Sequence, residues 1–247
     1  DLKIKGNIKN GTGKILSKYK DESLNINLDA FVVLDSIAPE ATVELDLIGA
    51  NLQELGLTER NIKTGMKIFA DFKGNSENYD ISAIIDEGVV VYDNRTYLLG
   101  DFNTLIHVEN DTTSISIKNK IIYLNLKSNS DPQTFSKALK KHVLSYFYKD
   151  AILEDTINNP VHLKLNVKIS QSPLLNDVFL INVKDLDAID IAVDFNENER
   201  QLKANITAPH INYSGNELDS LAFSMTTDKD DFSFNLGFKN IDAGPLD

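Results

Sequence analysis

The 247-residue sequence contains no cysteine and no tryptophan. Without cysteine the chain has no disulfide framework, no thiol nucleophile and no cysteine-ligated metal site, and this absence fits the cytosol and the periplasm equally well. No apolar run is long enough to cross a bilayer, and the chain opens on Asp1 without a basic-then-apolar leader. We therefore expect an excised or mature segment, with any membrane anchor outside it.

Basic residues are in the minority. The chain has 25 Lys and Arg against 37 Asp and Glu, which gives a net charge of −12. Such a charge repels phosphate backbones, so nucleic acid is excluded as a partner, and bulk charge alone does not attract the chain to an anionic membrane. An apolar fraction of 42% suits a sheet with one solvated face.

The common catalytic and nucleotide-binding motifs are also missing. The sequence has no Gly-x-Ser-x-Gly segment, no P-loop and no dinucleotide fingerprint, and Gly11–Lys14 is interpreted as part of a hairpin. Carboxylate pairs such as Asp190 and Asp194 recur at even spacing, as expected on the solvated face of an acidic sheet. We predict no catalytic residue, no cofactor and no enzymatic activity.

No metal site is predicted either. The histidines are isolated from one another and none stands at a metal-ligand spacing from a second one. They are His107, His142, His162 and His210. His142 falls on the apolar face of a helix, which indicates a packing histidine held by a hydrogen bond. The run Asp228–Asp231 lacks the glycine and distal glutamate of a calcium loop, so it is interpreted as a hairpin turn.

Strict period-two alternation is the main positive signal. Between residues 61 and 100 apolar side chains such as Ile68 and Phe72 alternate with charged ones such as Lys67 and Asp71, and short polar breaks follow. This pattern predicts antiparallel strands with one apolar face. The same unit recurs along most of the chain, which predicts a mainly β, elongated antiparallel meander.

The period changes once, where a helix is predicted from 131 to 149. Asp131 or Ser130 caps its start and Pro132 occupies its first turn. An apolar stripe at helical spacing follows, and it comprises Phe135, Leu139, Val143, Tyr146 and Phe147. The helix divides a first β array, 1–130, from a second, 150–247. Asp150–Pro160 is predicted to be a loop or linker, and Pro173–Leu180 fits a helical turn and a buried strand equally well.

Two packings fit the apolar strand faces. In a β-sandwich two such faces bury one another, which is the usual solution for an isolated domain. The regular succession of similar units, without Greek-key spacing or an obvious closing strand, instead favours a sheet that extends in one direction.

Four segments resemble the AsmA-like repeat proteins, and among them the TamB-type chains of the translocation and assembly module, especially those of the Bacteroidota. The segments are Leu47–Leu57, Glu87–Tyr97, Asp131–Tyr148 and Ile206–Gly215. The resemblance implies a periplasmic protein anchored in the inner membrane, with a sheet curled lengthwise into an apolar-lined trough. It also implies an outer-membrane barrel partner of the BamA type and a role in outer-membrane protein assembly and phospholipid movement. This chain lacks an obvious barrel-contacting C-terminal end.

Three functional hypotheses follow. The first is a non-enzymatic lipid-conducting or assembly bridge, the second a structural or adhesive β array or sandwich with a self-filled core, and the third a hydrolase with an unrecognised site. For the first, the apolar strand faces supply the candidate lipid-groove lining and the helix a candidate plug. The lining residues are Met66, Ile68, Phe72, Ile81, Ile85, Leu163, Leu165, Val167, Ile191, Val193, Phe195, Ile206, Phe223, Phe234 and Leu236.

Overall fold

The computed structural model describes residues 1–148, 159–174, 183–184, 187–213, 216–229 and 231–242. It is mainly β, with 66% of residues in strands that form an open antiparallel sheet, and it has one long helix among the described residues. The prediction of a mainly β antiparallel chain with one helix is confirmed. Among the described residues, no helix combines the length and the apolar character that crossing a membrane requires.

The described residues form two compact units. Unit 1 comprises residues 1–107 and 117–120, and unit 2 comprises residues 108–116 and the described residues from 121 onward. The helix and the strands on both sides of it in sequence therefore belong to unit 2.

The strands of unit 1 pair mostly with their neighbours in the chain. They are β1 Leu2–Lys9, β2 Thr12–Lys20, β3 Leu24–Val33, β4 Glu40–Asn51, β5 Ile62–Gly74, β6 Tyr79–Tyr92 and β7 Arg95–Leu98. Each of them pairs antiparallel with the next. The following strands, β8 Phe102–Glu109 and β9 Thr112–Lys118, contribute residues to both units.

Unit 2 contains the helix and the remaining strands. They are β10 Ile122–Ser128, α1 Pro132–Ser145, β11 His162–Ser170, β12 Val183–Lys184, β13 Ala188–Asn196, β14 Gln201–Tyr213, β15 Asn216–Thr227, β16 Phe232–Gly237 and β17 Asn240–Asp242. β10, β11, β13, β14, β15 and β16 pair in that order, all antiparallel. β12 pairs with β14 and β17 pairs with β15.

Turn chemistry explains the tight hairpins. The loop between β1 and β2 is Asn10-Gly11, with φ of 52° and 77°, and the loop between β6 and β7 is Asp93-Asn94, with φ of 49° and 58°. Two consecutive positive φ angles define the turn whose twist matches that of the flanking strands, and Asn, Asp and Gly accept that conformation most readily. The interpretation of Gly11–Lys14 as part of a hairpin is confirmed.

The helix begins where the sequence predicted and ends earlier. Asp131 is the N-cap, and its carboxylate accepts hydrogen bonds from the backbone N–H groups of Gln133 and Thr134 at 2.9 and 3.0 Å. The last helical residue is Ser145, four residues before the predicted end at 149. Most of the predicted loop Asp150–Pro160 and of the undecided segment Pro173–Leu180 lies outside the described residues.

Candidate functional site

In unit 1 the strand register assembles the alternating apolar residues into one continuous face. Ile68 pairs with Leu45 of β4 on one side and with Ile85 of β6 on the other. Phe72 pairs with Ala41 and Ile81 in the same way, and the rows continue into β3. We call this surface the unit 1 apolar face. It comprises Ile26, Leu28, Ala30, Val32, Ala41, Val43, Leu45, Leu47, Met66, Ile68, Ala70, Phe72, Ile81, Ala83 and Ile85.

The unit 1 apolar face is not covered as a core is. All its residues are half-buried, except Ala30, which is 8% exposed. Large side chains on neighbouring strands shield one another, so burial of this degree does not require a second layer above the face. A second sheet packed on these residues would bury them as deeply as the interior positions of unit 2, some of which are 0–3% exposed. The five candidate groove residues of the first array therefore share one half-buried apolar face.

Unit 2 has a corresponding face, but its exposure varies along the strands. The first cross-strand row joins Leu163, Phe195 and Leu202, which are 3%, 0% and 3% exposed. The second row contains Leu165 and Val193, which are partly buried and pack against the first. The remaining candidate groove residues lie farther out. Val167, Ile191, Ile206 and Phe223 are half-buried, and Phe234 and Leu236 of β16 are 65% and 62% exposed.

The helix covers the first of these rows. Ala138 belongs to the buried cluster with Leu163 and Phe195, and Phe135 and Leu139 pack against it. Val143 also packs against this cluster. The expectation that Leu163 and Phe195 line an open groove is therefore wrong for these two residues, because α1 closes the face above them.

The C-terminal end of the helix also differs from the prediction. Phe147 was expected on the apolar stripe, but it lies beyond the last helical residue and is 65% exposed. Its ring contacts Phe232 with centroids 5.6 Å apart. Tyr146 caps the helix, is half-buried, and donates a hydrogen bond from its hydroxyl to the backbone carbonyl of Asp228. The apolar stripe that docks on the sheet thus ends with Val143 and Tyr146.

His142 links the helix to the sheet. It is 6% exposed, and its Nε2 atom lies 2.8 Å from the hydroxyl of Thr227, which accepts a hydrogen bond from the N–H of Leu202. Its ring packs against that of Phe195, with centroids 5.1 Å apart. The expected hydrogen-bonded packing histidine is thereby confirmed. Burial lowers the pKa of His142 below its usual value, because the charged ring loses water that the apolar cluster does not replace.

Acid is therefore expected to loosen unit 2. In the unfolded chain His142 has a pKa of about 6.5, and above that pH its side chain is neutral in both the folded and the unfolded state. Below that pH the unfolded chain binds a proton at His142 more readily than the folded chain does. The contribution of neutral His142 to the free energy of unfolding is thus lost as the pH falls below about 6.5. The midpoint of urea unfolding, measured for the wild type and His142→Gln between about pH 7.5 and about pH 5.5, is expected to fall more steeply in the wild type.

His210 acts in the opposite direction. A hydrogen bond to Asp219, 2.6 Å from Nδ1, raises the pKa of His210 in the folded protein. The stabilisation that His210 gives to the fold is therefore present below the pKa that it has in the unfolded chain, and it is lost as the pH rises through its pKa in the folded protein. His210→Gln is the matched control, and its midpoint of urea unfolding is expected to fall more steeply toward acid pH than that of the wild type. Equal slopes for the wild type and His142→Gln would contradict the assignment of a buried neutral His142.

The other titratable groups do not converge on one point. His107 pairs with Asp80 at 2.6 Å on an exposed part of unit 1. Among the described residues, no group of three or more His, Asp or Glu side chains has metal-binding geometry. Asp228 accepts from the N–H of Asp231 at 2.9 Å, as a hairpin turn does. Of the predicted sets, the structure brings together only the apolar ones.

One feature of unit 1 was missed from the sequence. Phe69 and Ile84 pair on the face opposite the unit 1 apolar face and are 40% and 45% exposed. With Leu16, Phe69 lines a shallow concavity of about 440 Å³, bordered by charged side chains such as Lys67 and Asp46. The sequence pattern does not reveal this patch. Each of its members is a single apolar residue on the otherwise polar face of its strand, and the members become neighbours only through the pairing register of the strands.

Comparison of this chain with protein-family models, with curated proteins and with solved structures finds no match.

Proposed function

We propose that this chain is a non-enzymatic segment of a periplasmic bridge protein for outer-membrane biogenesis, and that it carries phospholipid acyl chains on the apolar side of its sheet. The observation that carries the proposal is the unit 1 apolar face, a continuous set of mostly half-buried apolar side chains spanning four strands. Large contiguous apolar patches on soluble proteins commonly mark ligand-binding or interaction sites.

The mechanism requires no catalytic group. Each methylene that leaves water for the apolar face gains about 0.8 kcal/mol, while the charged head group remains in solvent at the margin. Because rows such as Leu45–Ile68–Ile85 follow one another without an interrupting charge, an acyl chain meets similar neighbours at each position. Movement along the face then exchanges equivalent contacts, which keeps the barrier between positions low.

The wider setting comes from the sequence resemblance. It comprises a sheet curled lengthwise into a trough, an inner-membrane anchor outside this segment, a BamA-type barrel partner in the outer membrane, and participation in outer-membrane protein assembly and translocation. Within this proposal α1 is a plug. It covers Leu163 and Phe195 and leaves the rows that contain Val167 and Ile191 open.

A photoreactive side chain tests the proposal at single-residue resolution. Placed at Ile68 it is expected to form phospholipid adducts in protein produced in a bacterial periplasm and irradiated there, with the adducts identified by mass spectrometry. Position 69 is the matched control, because one step along a strand turns the side chain to the opposite face. Phe69 is also apolar and 40% exposed, so the comparison tests the face rather than the hydrophobicity. Equal labelling at both positions, or no lipid at 68, would contradict the proposal.

One observation favours a second candidate, a structural or adhesive β array with a self-filled core. The interior beneath α1 is filled by the protein's own side chains, down to 0% exposure at Phe195. If position 68 crosslinks to another segment of protein and not to lipid, this second function replaces the first.

A further inference from the structure

The first hairpin has a charge opposite to that of the rest of the chain. Residues 1–20 contain six lysines and one aspartate, a net charge of +5, while the whole chain carries −12 and the remainder therefore −17. A basic segment in a strongly acidic protein concentrates any attraction to anions at that segment.

The hairpin register places all six lysines on one surface. Lys3 is directly opposite Lys18, Lys5 is opposite Leu16, and Lys14 is opposite Asn7. We call this surface the lysine face. It comprises Lys3, Lys5, Lys9, Lys14, Lys18 and Lys20, all exposed.

Acidic neighbours neutralise little of the lysine face. Lys14 Nζ lies 2.9 Å from Asp29 Oδ2, and Lys3 Nζ lies 3.3 Å from Asp1 Oδ2. Both pairs are exposed, so solvent and salt weaken them. Among the described residues, no carboxylate lies within ion-pair distance of the other four lysines of this face.

The composition of the face points to a particular anion. It has no arginine, whose planar fork recognises single phosphates or carboxylates. Lysines spread over two flat strands instead suit a planar array of separate negative charges. Clusters of four to eight basic residues bind anionic lipid surfaces, with about 1 kcal/mol for each one close to the surface.

One apolar side chain lies on the lysine face itself. Leu16 is directly opposite Lys5, between Lys14 and Lys18 along β2, and is 40% exposed. Stable attachment to a membrane surface generally needs a second contribution beside charge, and an exposed apolar group on the docking face contributes to it.

We propose that the lysine face docks the chain on an anionic phospholipid bilayer surface. The acidic remainder of the chain is repelled by the same surface, so docking places the first hairpin toward the bilayer. This inference goes beyond the carriage of acyl chains and does not depend on it, because docking needs only the lysine face.

Co-sedimentation of the whole chain with vesicles tests the docking. Vesicles of phosphatidylglycerol and phosphatidylcholine are expected to bind the wild type, and vesicles of phosphatidylcholine alone are not. Substituting Lys5→Gln, Lys9→Gln and Lys18→Gln together is expected to weaken binding by about 100-fold, at about a factor of ten per 1.4 kcal/mol. Raising the ionic strength to about 1 M, where the Debye length falls to about 3 Å, is expected to release the wild type.

The control keeps the net charge equal and moves the substitutions elsewhere. Lys127→Gln, Lys168→Gln and Lys203→Gln remove three exposed lysines of unit 2, and are expected to change binding by less than about 3-fold, since their charges lie outside the lysine face. Equal loss in both triple variants, or equal binding to neutral vesicles, would overturn the proposal. So would tighter binding to single-stranded DNA or polyglutamate than to the anionic vesicles.

The salt titration of the wild type tests the role of charge without any substitution. Formation of a lipid adduct at position 68 does not depend on the result of either binding experiment.

Discussion

Replacing Leu163 with aspartate is expected to lower the free energy of unfolding by at least about 3 kcal/mol, because a carboxylate would be buried without a partner. Leu163 is 3% exposed, lies between Ser128 and Phe195 in the sheet, and belongs to the cluster beneath α1. Urea unfolding followed by far-ultraviolet circular dichroism measures the loss.

Ile68→Asp provides the contrast on the unit 1 apolar face. Ile68 is half-buried between Leu45 and Ile85, so an aspartate there keeps access to water. The expected loss is about 1–2 kcal/mol, the range of strand preference and cross-strand contact. If Ile68→Asp destabilised the chain as much as Leu163→Asp, the unit 1 apolar face would be an enclosed core, and the proposed lipid surface would not exist.

Leu139→Asp is expected to detach the helix and leave the sheet folded. Leu139 packs against the buried cluster that contains Ala138 and Phe195, and its partial burial contributes up to about 1.5–3 kcal/mol, the range for a fully buried leucine. An aspartate there loses that contribution and places a charge against apolar side chains. Binding of an apolar fluorescent dye should rise several-fold, while the β signal in circular dichroism is retained.

Phe147→Asp is the matched control for that experiment. Phe147 is on the same segment and was expected on the same stripe, but it is 65% exposed and outside the helix. Its substitution should leave both dye binding and melting temperature close to those of the wild type. Dye binding that rose equally in the two variants would show that the docked stripe extends past Tyr146 to Phe147, contrary to the structure.

The fold class could be predicted because its signals are local. The alternation of apolar and polar residues determines which side chains share a face of a strand. Two consecutive turn-forming residues such as Asn10 and Gly11 specify a hairpin, and Asp131 followed by Pro132 marks the start of a helix. The end of the helix could not be predicted. Tyr146 and Phe147 continue the apolar spacing, but Tyr146 instead donates to the carbonyl of Asp228, a residue 82 positions away in sequence.

Membership of the candidate surface could be predicted, but its accessibility could not. Alternation places Ile68 and Leu163 in the same category, since each is an apolar residue in an alternating strand. What separates them is whether another element lies above, and only the tertiary packing of α1 on β11 and β13 decides it. Two other features also depend on the register between strands, which the sequence of one strand does not specify. They are the exposed patch at Phe69 and Ile84 and the grouping of lysines on the first hairpin.

Native mass spectrometry of the whole chain, purified from bacterial membranes and released from mild detergent, tests the central claim most directly. The wild type is expected to retain phospholipid, and the folded variant Ile68→Asp to retain much less, while Lys67→Asp on the opposite face retains the wild-type amount. A wild type that carries no phospholipid, or an Ile68→Asp variant that carries as much as the wild type, would contradict the claim that the unit 1 apolar face binds lipid.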